Sequence, residues 1–143
     1  MAIWQREMSL EKLNATNKNT LMETLQIEYT GFDDSSLTAS MPVNSQVHQP
    51  LGMLHGGASV ALAESVGSMA ANLAVDENFY CLGLDINANH LKAMRAGRVF
   101  AKAEPVHLGK QTQVWSIAIS DESGNLVCTS RLTMMVRSRK GDK

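Results

Sequence analysis

A chain of 143 residues with a formal net charge of −1 is long enough to bury one sizeable core and too short for two. Its 13 Lys and Arg stand against 14 Asp and Glu, so no cationic excess marks nucleic acid or an anionic membrane as a partner. Cys81 and Cys128 sit in apolar stretches away from any zinc or redox spacing, and MAIWQREMSL lacks the apolar core of a secretory signal. The expectation is one cytoplasmic domain over 1–143 with two buried free thiols.

Residues 1–25 are expected to form a helical N-terminal segment. Ser9 precedes a short helical pattern, and Thr20-Leu-Met-Glu23 has capping-box spacing for a second. Strands are predicted over 26–30 and 37–41, around the turn-forming 31–35, followed by a loop over 42–54. A long helix is predicted over 56–73. After it come strand-forming segments at 80–86 (with a continuation to 91), 98–106, 112–120 and 126–136, joined by Gly-containing turns. Residues 137–143 read as a basic, frayed tail. Strands, one long helix and a strand meander define an α+β fold in which an antiparallel sheet wraps one apolar helix.

The stretch 51–75 carries a single formal charge, Glu64, but its Gly, Ala and Ser content and the absence of a flanking Lys/Arg bias point to a buried helix rather than a membrane span. At 100° per residue, Leu62, Val66, Met69 and Leu73 form a stripe expected to face the sheet. Gly57, Ala61, Glu64, Ser68 and Ala71 line the other side, a small-residue face with one carboxylate in its middle. A buried carboxylate is costly unless it is paired or has a task, which singles out Glu64. His55-Gly56-Gly57 offers unpaired amides at the positive end of the same helix, suited to a developing oxyanion. Glu64 lies eight residues beyond Gly56, roughly 12 Å along the axis, so one helix cannot bring both to one carbonyl. Two antiparallel copies in a symmetric dimer can.

The run Gln49-Pro50-x-Gly52-x-Leu54-His55-Gly56-Gly57, followed by Leu62-Ala63-Glu64-x-x-Gly67-Ser68, resembles the signature of the hotdog-fold PaaI-like acyl-CoA thioesterases. Within that family the chain is most similar, from Trp4 to about Met135, to the thioesterases for 1,4-dihydroxy-2-naphthoyl-CoA in menaquinone biosynthesis and to those that proofread the enterobactin pathway. Met41-Pro42-Val43, the segment from Gly83 to His90, and 108–111 with Trp115 support the match. The resemblance implies hydrolysis of an acyl-CoA, with an aromatic acyl group favoured. Glu64 would be nucleophile or general base, Gly56 N–H the oxyanion donor, His55 and Gln49 the groups that orient or polarise the thioester, and Ser68 the one that positions water or the carboxylate. His90 would line the acyl pocket, Gly57 would lie against the substrate, and Lys110, Lys92 and Arg95 would hold CoA, with Arg137 a weaker nominee. It also implies no cofactor beyond the CoA of the substrate, and a homodimer with composite sites, assembled into a homotetramer. One departure stands out: relatives commonly carry Arg-Pro shortly after the residue matching His90, whereas this chain has Lys92-Ala93.

No pair among the four histidines has ligand spacing, so no metal site is expected, and His48 and His107 read as structural or solvent-facing. Two rival functions share the features above. Asp85 and His90 have the separation of a hotdog enoyl-thioester hydratase, yet in an unbroken strand they point to opposite faces; His48 with Glu64 loosely resembles the His/Glu pair of hotdog dehydratases, whose proline-rich approach to the helix is His-Gly-Gly here. A non-catalytic acyl-CoA-binding module would keep the pocket and lack the acid.

Overall fold

The computed structural model describes residues 1–141. It holds two short helices, α1 (Leu10–Ala15) and α2 (Leu21–Thr24), then strands β1 (Glu28–Phe32) and β2 (Leu37–Pro42) and the long helix α3 (Gly56–Leu73). Strands β3 (Phe79–His90), β4 (Arg98–Leu108), β5 (Thr112–Ser120) and β6 (Leu126–Ser138) follow. The strands make one six-stranded antiparallel sheet in the order β1-β2-β4-β5-β6-β3, and α3 packs across β2 to β6. This is the α+β arrangement expected, with α3 bounded as predicted.

Local chemistry explains most boundaries. Ser9 caps α1 by accepting from Lys12 N. Thr20 caps α2 but accepts from Met22 N, while Glu23 N donates to the Thr20 carbonyl, so the predicted box closes one residue early. Gln26 adopts φ 59°, a left-handed turn that delays β1 to Glu28. Asp33 accepts from Ser35 N and Ser36 N, bonds that close the β1–β2 turn and hold its carboxyl below the usual range.

Two expectations for the chain ends are corrected. Residues 1–8 form no helix; they run as a strap. Gln5 N donates to Leu73 O, and Trp4 stacks on the fully buried Trp115 with centroids 6.5 Å apart. Arg6 donates to the carbonyls of Val75, Asp76 and Phe79 at 3.0, 3.2 and 2.6 Å, serving acceptors just past the C-terminus of α3. At the other end the frayed tail does not begin at 137, because Arg137 and Ser138 pair with Tyr80 and Phe79, and Arg139 N donates to Asn78 O. Residues 142 and 143 lie outside the described residues.

On α3, Leu62, Ala63, Val66, Ala70 and Ala71 are fully buried against a core that includes Leu37, Val99, Ile117, Ile119 and Leu132. Ala71, expected on the small-residue face, belongs to the core; Met69, expected on the sheet side, lines a pocket beside Glu64. The helix presents small residues nearly all round, so the sheet covers a broader arc than the apolar stripe alone marks out. Gly67 is part of that contact: a Cβ there would stand 2.6 Å from Leu132 Cδ2 and 3.1 Å from Ile117 Cδ1. Gly67→Ala is expected to destabilise the fold by about 1–3 kcal/mol through overpacking, read as a lower urea midpoint with an unchanged slope.

Both edge strands are held by an asparagine. Asn14 Nδ2 donates to Tyr29 O at 3.0 Å and Tyr29 N donates to Asn14 Oδ1 at 2.7 Å, on β1. Asn72 makes the same two-way contact with Cys81 on β3. Beyond Cys81, β3 carries a bulge: Gly83 pairs with Met134 and Asp85 with Thr133, leaving Leu84 as the extra residue. Gly83 and Ile86 therefore both turn toward the helix side.

Candidate active site

The tip of α3 is built by His55. Its Nδ1 accepts from Gly57 N at 2.8 Å, which places the proton of the neutral ring on Nε2. Gly57 has no side chain because the ring fills that space, a Cβ falling 2.9 Å from His55 Nδ1. The Gly57 amide is thus taken by the cap, so any contact Gly57 makes with a ligand is through its Cα and carbonyl, on the groove it borders with His55. Among the described residues no acceptor takes the Gly56 N–H, so of the two expected amides this one is open.

Around Gly56 lies a cleft of about 380 Å³ lined by Gln49, Met53, Ser59, His90, Lys92 and Val127, among others. His90, at the end of β3, lays its ring on the Gly56 backbone; a Cβ at Gly56 would sit 2.9 Å from His90 Nε2. Gln49 Oε1 is occupied by Leu51 N, which leaves the Nε2 protons to face a ligand. Gln49 N donates to Met53 O and Gly52 N to Gln49 O, closing a tight turn whose Gly52 has φ 79°. Arg95 braces this turn by donating to Leu51 O at 3.3 Å, and its own carbonyl pairs with His48 Nε2 at 2.9 Å. His48 is structural, as expected.

Glu64 is elsewhere. It lines a second pocket of about 520 Å³ with Tyr29, Ser65, Ser68, Met69 and Asn72 among its neighbours. Ser68 follows one turn after Glu64 and turns its hydroxyl to Met134 Sδ at 3.8 Å. The carboxylate lies over Gly83, where a Cβ would be 2.5 Å from Glu64 Oε2. Among the described residues it has no hydrogen-bond or ion-pair partner, so the structural ion-pair reading of this acid fails within one chain. His55 faces a third groove of about 310 Å³, which shares Leu21 and Ala61 with the Glu64 pocket. One chain therefore assembles Gln49, Gly56 and His90 in one place and Glu64 with Ser68 in another, with His55 bordering the second.

The basic residues divide. Lys92 lines the Gly56 cleft but is ion-paired to Asp121, which also accepts from Ser123 N, Asn125 N and Asn125 Nδ2. The Lys92 ammonium and these donors hold the Asp121 carboxyl far below the usual range. Lys110 lines a cavity of about 520 Å³ with Gln5, Asp76 and Phe79, beside the C-terminus of α3. Gly56 is at the opposite end of that 18-residue helix, roughly 27 Å away at 1.5 Å per residue. Asp85 is exposed and, in continuous register five residues before His90, faces the other side of β3, which removes the hydratase pair. Both cysteines are free and buried; burial pushes the Cys81 thiol up to about 11. No helix is long and apolar enough to cross a membrane, and no group of three or more His, Cys, Asp or Glu is placed to hold a metal, both among the described residues.

Sequence reasoning missed Ser59, Ser65, Met69 in its pocket role, Asn72 and Gly83. Asn72 was within reach, since it continues the row Glu64, Ser68 at four-residue spacing. A glycine inside a strand is likewise a signal of a bulge or a close approach, and Gly83 is both.

One long helix laid on a six-stranded antiparallel sheet, with an open amide at its tip and an unpaired acid two turns along, defines the hotdog thioesterase class. The thioesterase superfamily model matches residues 51–128, and the chain belongs to that family as a thioester hydrolase. It is 51% identical over 134 residues to the proofreading thioesterase EntH of Cronobacter turicensis, covering 94% of this chain and 98% of that one. To the 1,4-dihydroxy-2-naphthoyl-CoA hydrolase of Escherichia coli it is 48% identical over 134 residues, with 94% and 98% covered. The crystal structure of a mutant thioesterase from Pseudomonas aeruginosa superposes with a TM-score of 0.94 at 53% identity, covering 96% of this chain and 99% of that one.

The Asp121 cluster has a testable pH signature. A carboxyl whose folded pKa is depressed contributes stability above its unfolded value, about 3.9, and loses it as pH falls through the folded value. Asp121→Asn is expected to flatten the decline of Tm below about pH 4 while lowering Tm at pH 7, measured by differential scanning fluorimetry across pH.

Proposed function

We propose that this chain hydrolyses acyl-CoA thioesters, with aromatic acyl groups preferred, at sites shared between two copies. The observation that carries the reading is Glu64, an acid with no partner among the described residues, lining a pocket of about 520 Å³ in a thioester hydrolase. The names of the naphthoyl-CoA hydrolase and the proofreading thioesterase support the substrate class and, for the former, a place in menaquinone biosynthesis. The buried free thiols fit a reducing cytoplasm.

The chemistry follows from the two halves of the site. Gly56 N–H and the Gln49 amide receive the thioester carbonyl oxygen, whose negative charge grows as the carbon becomes tetrahedral. Glu64 of the other copy either takes the proton of an attacking water or adds to the carbonyl to give an anhydride that water then opens. In both routes the C–S bond breaks, the thiolate leaves as CoA and takes up a proton, and the carboxylic acid is released. His55 and Ser68 orient the reacting groups, His90 lines the acyl end, and Lys110 is the first candidate for CoA, with Lys92 and Arg95 contributing from beside their contacts to Asp121 and Leu51 O. A two-fold axis that brings Glu64 to a neighbouring Gly56 runs the helices antiparallel, which also carries the Lys110 end of one chain toward the Gly56 cleft of the other. Strand β3 supports the pairing: it is a sheet edge, and Leu82 and Leu84 on it are exposed. A homotetramer of two such dimers is the assembly we favour.

Glu64→Gln is expected to lower kcat for benzoyl-CoA roughly 10²–10⁴-fold, followed by free-thiol release; a folded variant at full rate sinks the reading. Mixing Glu64→Gln chains with Gln49→Ala chains, after dissociation and reassembly, is expected to restore about a quarter of wild-type activity, because each mixed dimer has one intact site. No recovery in verified mixed dimers would place the whole site in one chain. Single turnover in ¹⁸O water separates the two routes: label in the enzyme's Glu64 marks the anhydride.

A further inference from the structure

Two residues define the local geometry of the acid: Gly83, whose backbone lies under the carboxylate, and Asn72, which ties β3 to the helix next door. Asn72 stands two turns beyond Glu64 on the same face of α3, and both line the same pocket. Its Nδ2 donates to Cys81 O at 3.2 Å and to Ser68 O at 2.9 Å, and its Oδ1 accepts from Cys81 N at 2.8 Å. Both amide protons and the amide oxygen are engaged, so the orientation of the group is determined. Cys81 adds a further tie, Sγ donating to Ala71 O at 3.6 Å, and burial keeps that thiol protonated at neutral pH.

Cys81 is the last inward-facing residue of β3 before Gly83 and the bulge at Leu84. Its N–H and C=O meet Asn72, so no other strand can use that N–H, and β3 is pinned to the helix at this edge position. Gly83 comes next on that face, and a Cβ there would meet Glu64 Oε2 at 2.5 Å, so any larger residue would push the carboxylate aside. A shift of β3 of even a few tenths of an ångström relative to α3 changes the floor on which the carboxylate rests.

We propose that Asn72 is a positioning residue for the reaction: by clamping the Cys81 backbone to α3 it sets where Gly83 closes over Glu64, and so where the carboxylate points. The proposal rests on Glu64 being the reacting acid. Asn72 acts through Gly83 and needs no contact with the acyl group, so its effect is the same for any thioester the enzyme turns over.

The experiment measures kcat and KM separately for benzoyl-CoA and acetyl-CoA in Asn72→Leu, Asn72→Asp, Gly83→Ala and Glu64→Gln, with folding and assembly state checked by circular dichroism and gel filtration. Asn72→Leu removes all three hydrogen bonds at similar volume; Asn72→Asp keeps the acceptor for Cys81 N and sets an oxygen against Cys81 O. Both are expected to lose roughly 10- to 100-fold in kcat on both substrates with KM within about twofold, and Gly83→Ala to do the same by displacing the carboxylate directly. Should Asn72→Leu fail to fold, Asn72→Asp is the variant that decides. A folded Asn72 variant with kcat within about twofold of wild type overturns the proposal, as does a loss confined to KM or to benzoyl-CoA, which would make Asn72 an acyl contact. Full activity in Glu64→Gln fails the underlying reading instead; an inactive Glu64→Gln beside an unaffected Asn72 variant fails only the clamp.

Discussion

The open amide of Gly56 and the carboxylate of Glu64 are fixed to one rigid rod, eight residues apart, and an α-helix cannot fold that distance away. Each half is incomplete alone: the tip can stabilise an oxyanion but has no acid beside it, and the acid has no donor to hold a carbonyl. Much else follows from that separation. The grooves of the protomer split along it, and β3, which carries His90 at one end and Gly83 near the other, becomes the strand that links the two halves. The proposed site shared between two chains is the geometry that would use both.

Close approach is obtained by leaving side chains out. Gly56 yields its space to the His90 ring, Gly57 to His55, Gly67 to Leu132 and Gly83 to Glu64. At the first two positions the missing Cβ lets imidazoles frame the helix tip while one N–H stays open. At the last it lets a carboxylate rest on strand backbone, with no cation paired to it among the described residues. Hydrogen bonds then hold the surrounding backbone in register: Arg95 and Gln49 in the turn before the helix, Asn72 on the strand after it, and the Asp121 cluster under Lys92.

Much of this was legible in the linear chain. The bounds of α3 follow from a Gly-Gly start after a capping residue and from an unbroken run of small and apolar residues, features that act within one or two turns. The α+β order and Glu64 as the one charge in that run follow from helical periodicity alone, and the rise per residue alone separates Glu64 from Gly56 along the axis. The same local logic failed where packing decides. Met69 and Ala71 exchanged sides because a helix of small residues has no sharp stripe, and the tail became part of β6 because Tyr80 and Phe79 offered it a strand to pair with.

By itself the sequence determined the order of the elements, the family and the one acid in the apolar helix, because capping, periodicity and a spaced motif are short-range properties of neighbouring residues. Only the tertiary structure decided that Lys92 is paired with Asp121 and that Lys110 stands at the far end of α3. It alone placed Gly83 under Glu64 and Asn72 against Cys81, contacts that depend on one bulge in β3 and on how that strand lies along the helix. The Asn72–Cys81 and Lys92–Asp121 contacts join residues 9 and 29 positions apart, and no spacing along the chain encodes the distance between two surfaces that meet only on folding.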